Sequence, residues 1–139
     1  MADRISSRDN PWLKGLRRLA QDNQAYRQQG EVWLEGEHLV DAVVRHGQPV
    51  RALVCAESQW PRLPTLWQSL GDRQVLLPDA LFKAISGLES PAGVGVLMAL
   101  PASMAPAQGV PTVVLDRLQD AGNVGSILRS AAALGFGQV

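Results

Sequence analysis

The sequence predicts an α/β protein: a three-layer α/β/α domain over residues 1–100, a linker over 101–110 and a single β-α unit over 111–139. Three observations lead there. Short apolar runs of strand type alternate with helix-periodic stretches up to Leu100, in the order β, α, β, α, β, α, β, and that alternation places a sheet between layers of helices. Residues 101–110, PASMAPAQGV, then lose all apolar periodicity and carry two prolines and a glycine, as a semi-rigid linker does. Beyond them, Val113-Val114-Leu115 is a short apolar run, Asp116 to Asn123 a polar turn, and Val124 onward a helical pattern that ends at Gly135.

Asn10-Pro11 marks the first helix start, with Asn10 as N-cap and Pro11 at the first helical position. Trp12, Leu13, Leu16, Leu19 and Ala20 follow at helical spacing, with Lys14, Arg17 and Arg18 on a different side. A second helical stretch from Asn23 to Gln29 stops at Gly30, a natural residue just past a helix end. Glu31 to Glu35 is a strand, Gly36 turns the chain, and Leu39, Val40, Val43 and Val44 form one helix face that His46-Gly47 closes. Pro49 to Ala56 is almost continuously apolar, the mark of a central strand covered on both faces. Leu63 to Leu70 is a helix, Gln74 to Leu77 a strand, Asp79 to Ser86 a short helix after Pro78, and Val94 to Leu100 the last strand of the domain.

Composition narrows the function classes. No apolar stretch approaches the roughly 20 residues that span a bilayer, and the first ten residues lack the apolar core of a secretory signal. Cys55 is the sole cysteine, so neither a disulfide framework nor a cysteine-based metal site is expected, and a small buried thiol is the reading for ALVCAE. These features suit the cytoplasm. Thirteen basic side chains balance thirteen acidic ones, which argues against a uniformly basic nucleic-acid binder but leaves room for a local patch. Lys14, Arg17 and Arg18 are the candidates for such a patch on RNA. Trp12 and Trp33 fall at core positions, whereas Trp60, beside Pro61, is expected to be partly exposed. His38 and His46 have no metal-ligand company, and no metal is expected.

The chemistry concentrates after residue 111. A loop leading from a strand's carboxyl end into a helix is where open α/β sheets bind ligands. Asn123-Val124-Gly125 occupies that place, with Asn123 as the expected helix cap and Gly125 permitting close approach of a substrate. A plain cap with a packing glycine is the alternative. Arg129 lies four residues after Gly125, on the same helical face. Asp116 and Asp120 flank the loop without a histidine or nucleophile, so turn and capping roles suit them.

Leu115-Asp116, Asp120, Asn123, Gly125, Arg129, Ala131 and Gly135 together resemble the first motif of SpoU/TrmH-type RNA ribose 2′-O-methyltransferases of the SPOUT superfamily, LD-x-x-x-D-P-x-N-x-G-x-x-x-R-x-A-x-x-x-G. Ala121 stands where the family has proline, which loosens the turn but removes no chemical group. A weaker resemblance to the family's N-terminal substrate-binding domain lies in Trp33 to Val40, in Phe82 to Ser86 and in Ser90 to Val94. The resemblance implies a fold continuing into a knotted Rossmann-like domain, of which 111–139 is the first β-α unit. It implies S-adenosylmethionine as methyl donor, rRNA or tRNA as substrate, Arg129 and Asn123 at the reacting ribose, Gly125 against RNA, and a homodimer built through the catalytic domain. The donor-binding motifs of that family lie further along than Val139, so no donor-binding residue is expected here, and the chain as it stands is expected neither to bind the donor nor to turn over. The competing expectation is a stand-alone RNA- or ribosome-binding α/β module without catalysis.

Overall fold

The computed structural model describes residues 2–139, which divide into two compact units, one running to Pro101 and the other spanning Ala102–Val139. The first unit contains β1 (Asp3–Arg4), α1 (Pro11–Gln21), α2 (Ala25–Gln29), β2 (Glu31–Glu35), α3 (Glu37–Arg45), β3 (Ala52–Ala56), a 3₁₀ turn (Trp60–Arg62), α4 (Thr65–Gln68), β4 (Arg73–Leu77), α5 (Asp79–Ile85) and β5 (Val94–Ala99). The second holds α6 (Ala121–Ala133).

The sheet has five strands in the order β1-β4-β3-β5-β2. β1, β4 and β3 run parallel, while β5 is antiparallel to both β3 and β2. Hence β2, β3 and β4 all point their carboxyl ends toward one edge of the sheet, the edge at which β5 begins. β3 is the central strand, and all five of its residues are buried. Its alternating side chains feed two cores. Val54 and Ala56 meet Leu13, Leu16, Leu81, Phe82 and Ile85 from α1 and α5 on one face. Leu53 and Cys55 meet Val40, Val43, Leu63 and Trp67 on the other. Both faces are therefore sealed, and the α/β/α layering is as expected.

The local signals act as read at α1. Asn10 Oδ1 accepts from the amides of Trp12 and Leu13 at 3.0 and 3.3 Å, and Pro11 opens the helix. Two elements depart from expectation. β1 is a fifth strand that the sequence reading omitted; its two exposed residues are held by pairing with Val75 and Leu76 and by Arg73 Nε donating to Asp3 at 2.8 Å. The helix expected over Leu63 to Leu70 shrinks to Thr65–Gln68 behind the 3₁₀ turn, because Pro61 and Pro64 lack the amides a longer helix needs.

In the second unit, Val113 to Leu115 is not a strand. A single parallel bridge between Thr112 and Gln138 stands in its place, with Val113 N donating to Gln138 O at 3.0 Å. The Gln138 side chain also exchanges two 2.9 Å bonds with the backbone of Ala107. Residues 101–110 contain no regular element.

Candidate functional site

Three groups of residues carry chemical potential, and each is described within its own unit. The first is α6. Its N-cap is Asp120, whose side chain accepts from the Asn123 amide at 2.9 Å. This corrects the expectation that Asn123 caps the helix. Asn123 lies instead in the first turn, where its amide is the capped group and its side chain is exposed. The physical reason is reach: an Asx side chain caps the amide three residues ahead, and Asp120 stands at that distance from Asn123.

Helix α6 packs through Val124, Ile127 and Ala131, the last being the one buried residue of the helix. At about 100° per residue, Gly125 and Arg129 fall on the side away from that stripe. Arg129 is exposed and, among the described residues, takes part in no ion pair or side-chain hydrogen bond. A Cβ built on Gly125 would meet nothing within 4 Å, so no packing contact within the chain requires glycine there. Asn123 points away from Arg129 by roughly a third of a turn, so α6 unites Gly125 with Arg129 but not Asn123 with either. Asp116 sits 3.8 Å from Arg117, both largely solvated, and Arg117 has a positive φ of 52°.

The second group lies on α1. Leu13 and Leu16 are buried, which turns Lys14, Arg17 and Arg18 outward. Arg18 is diverted to Gln28, at 2.5 Å, and to Asp22, at 3.6 Å. Arg17 bonds only the neutral Gln21 side chain, and Lys14 pairs with the highly exposed Asp9 at 3.0 Å. A depression of about 330 Å³ between α1 and α5 is lined by Arg8, Asp9, Lys14 and Arg17 above Leu81 and Ile85. Three cations thus face one carboxylate, a local excess that the neutral overall charge conceals. Arg8 was missed in the sequence because it precedes the helix and belongs to no periodic face.

The third group is the sheet edge where β2, β3 and β4 end. Here the segments around Glu35 and Ser86-to-Val94 converge. Ser86 Oγ donates to Glu35 Oε1 at 2.6 Å, the Ala92 amide donates to the same oxygen at 3.4 Å, and Trp33 Nε1 donates to Oε2 at 3.4 Å. The carboxylate therefore fixes both ends of the loop between α5 and β5. Gly93 in that loop has φ +75°, and a Cβ there would come within 2.7 Å of Gln59 Cγ. Beside it, Ser58 N donates to Asp79 Oδ1 at 3.1 Å, and the hydroxyl and amide of Ser58 hold the Asp79 carboxyl below its usual range. Cys55 is fully buried, and desolvation, helped by the charge of Asp79, pushes its thiol up to about 12, so it is an inert core residue. His38 and His46 are exposed, and no cluster of metal-binding side chains occurs among the described residues. Trp60 is half-buried against the second core, and Trp12 lies under the Arg73 guanidinium at 4.9 Å.

Residues 10–95 match the model of the MRM3-like substrate binding domain. The chain belongs to that family. It is 33% identical over 137 residues to an uncharacterised tRNA/rRNA methyltransferase of Synechocystis, covering 94% of this chain and 49% of that protein. It is 32% identical to the 23S rRNA (uridine(2479)-2′-O)-methyltransferase of Streptomyces viridochromogenes, covering 96% of this chain and 49% of that one. Among solved structures, the SpoU methyltransferase AviRb from Streptomyces viridochromogenes, in complex with AdoMet, superposes with a TM-score of 0.72 at 27% identity over 93% of this chain and 52% of AviRb. An RNA methyltransferase of the TrmH family from Porphyromonas gingivalis gives a TM-score of 0.70 at 30% identity, over 93% of this chain and 50% of that one. The MRM3-like chain spans about half the length of the curated relatives it matches.

Proposed function

We propose that this MRM3-like protein serves S-adenosylmethionine-dependent methylation of a ribose 2′-hydroxyl in rRNA or tRNA. In this reading residues 1–100 grip RNA, and the segment from 111 onward presents the acceptor-side groups of the methyltransferase domain. One observation carries it: Arg129 stands exposed and unpaired among the described residues, one turn after Gly125, on the face of α6 opposite its packed stripe, at the family motif's spacing. The likeness of the chain to RNA 2′-O-methyltransferases along nearly its whole length supports the same reading.

The described residues act on the RNA side of the reaction. A guanidinium holds its proton too tightly to serve as a base. Arg129 therefore binds the phosphate next to the target ribose and orients the hydroxyl, while the proton leaves to phosphate or water. Bound S-adenosylmethionine would supply an electrophilic methyl carbon, and alignment of the attacking oxygen is then the main requirement. Gly125 leaves room for the RNA backbone, and the Asn123 side chain contributes at the helix start. The depression beside α6, about 280 Å³ and lined by Val113, Ser126, Ile127, Ser130, Leu134 and Phe136 among others, offers no carboxylate for a nucleoside ribose, so no donor-binding role is assigned to it. Phosphate contacts fall to Lys14 and Arg17, joined by Arg8, with Arg18 the weaker candidate because it is already engaged. The resemblance further supports a homodimer formed through the catalytic domain and action in the cytoplasm.

Arg129→Ala tests the mechanism in a methylation-competent form of the protein. Under single turnover with saturating RNA, the rate falls about 10²-fold while RNA affinity changes little. Arg129→Lys does not restore the rate, since an ammonium lacks the planar two-pronged contact. Near-normal rates in Arg129→Ala overturn the role. The second reading, an RNA-binding module without catalysis, is favoured by the cationic depression in the first unit; it predicts RNA binding sensitive to Arg17→Ala with no methyl transfer under any condition.

A further inference from the structure

We infer that the crevice at the carboxyl edge of the sheet in the first unit receives one unpaired guanine base of the RNA. The inference rests on the RNA reading above and goes beyond it, because neither the charge of α1 nor the α6 motif specifies a base.

The crevice holds about 130 Å³, roughly four times a water molecule's share of the liquid, which is the scale of a single planar base rather than a whole nucleotide. Its apolar walls are Ala56, Phe82 and Pro91, and its polar groups are Gln59, Asp79 and Lys83. Asp79 and Lys83 are one helical turn apart on α5, a spacing at which opposite charges usually pair. They do not: no ion pair joins them among the described residues. Ser58 holds Asp79 instead, its amide donating to Oδ1, so the carboxylate keeps lone pairs that Ser58 does not use and the Lys83 ammonium is not tied to it.

That pattern is complementary to one base edge. Guanine presents N1–H and N2–H₂ donors beside the O6 acceptor. The carboxylate accepts from the two donors, and the ammonium donates to O6. Adenine would set its N1 lone pair against the carboxylate, and uracil offers a single N–H between two carbonyls. RNA is read at sequence level chiefly through such unstacked bases. The crevice is also pre-formed. Glu35, itself held by Trp33 Nε1, fixes the loop that carries Pro91 through Ser86 and Ala92, and Gly93 lets Gln59 close against the backbone. α5 has the crevice on one side and the Arg8–Lys14–Arg17 depression on the other, so one strand of RNA laid across it places phosphate and base in their respective sites.

The test is NMR titration of the 139-residue chain with the pentamers UUGUU, UUAUU and UUUUU. The G pentamer is expected to bind at least about fivefold more tightly than the others. Asp79→Asn keeps the Ser58 contact but turns an acceptor into a donor, and it abolishes the preference. Arg17→Ala weakens all three pentamers alike. Equal affinities that still respond to Arg17→Ala overturn the guanine site and leave the RNA reading standing. No binding by any pentamer overturns both. If Asp79→Asn disturbs the fold, Lys83→Met reads the O6 contact instead, and an unchanged preference there overturns the proposal.

Discussion

The two units of this chain solve opposite problems. The first encloses a five-stranded sheet between two apolar cores, with Phe82, Leu16, Leu53 and Val54 all fully buried. In the second, Ala131 is the one buried apolar residue, while Val114, Leu134 and Val139 are 83%, 75% and 60% exposed. The difference shows where order comes from. Sheet pairing across long sequence separations locks the first unit, and the groups proposed to bind RNA sit on a frame that does not yield. The proposed reaction group, Arg129, rides on a helix whose own packing stripe is three residues wide. Functional elements are often drawn from the less stable end of a structure.

Amide hydrogen exchange measures that contrast most directly and carries the largest effect. Amides of β3 and β5 should exchange only through global opening, protected by several orders of magnitude, whereas α6 amides exchange through local opening and are protected far less. Equal protection in β3 and α6 would break the comparison. Next in size is Phe82→Ala, which empties the centre of the first core and should cost about 3–5 kcal/mol in urea unfolding followed by far-ultraviolet circular dichroism. Loss below ~1 kcal/mol would mean that this core is not the frame described. The smallest is Asp120→Ala, which removes the α6 cap and should cost about 1 kcal/mol of local helix stability, read as faster exchange of the Asn123 amide with β3 unchanged.

How far the sequence was legible follows from the range of the interactions. α1 was readable because its cap and opening proline are adjacent residues, and β3 because five consecutive apolar residues leave little choice. β1 was not, since Asp3 and Arg4 are exposed and polar and become a strand only by pairing with Val75 and Leu76, some 70 residues away. The expected strand at Val113 to Leu115 failed for the complementary reason. Its residues suit a strand, but Thr112 and Gln138 supply a single bridge, and a strand needs a partner along its length. At the helix start, two capping residues competed, and the choice of Asp120 over Asn123 depended on which could reach an amide three positions ahead. For the site, periodicity correctly set Lys14 and Arg17 outward. It could not show that Gln28 withdraws Arg18, that Arg8 joins the depression, or that Glu35 and Ser86 meet across 51 residues.

The position of β5 has a consequence for how the first unit assembles. The last strand of that unit to be synthesised lies between β3 and β2, pairing Ala52 through Cys55 on one side and all of β2 on the other. Until Ala99 has emerged, both neighbours present open backbone edges, and open edges are templates for association between chains. The sheet therefore cannot close progressively along the nascent chain. β2 must wait, unpaired, for more than half the unit to be made, and closure is then a late, long-range event of the kind that slows folding. Any nascent or truncated form ending before Val94 leaves β2 unpaired and one edge of β3 open, which makes it a substrate for chaperones or for aggregation rather than a smaller version of the same domain.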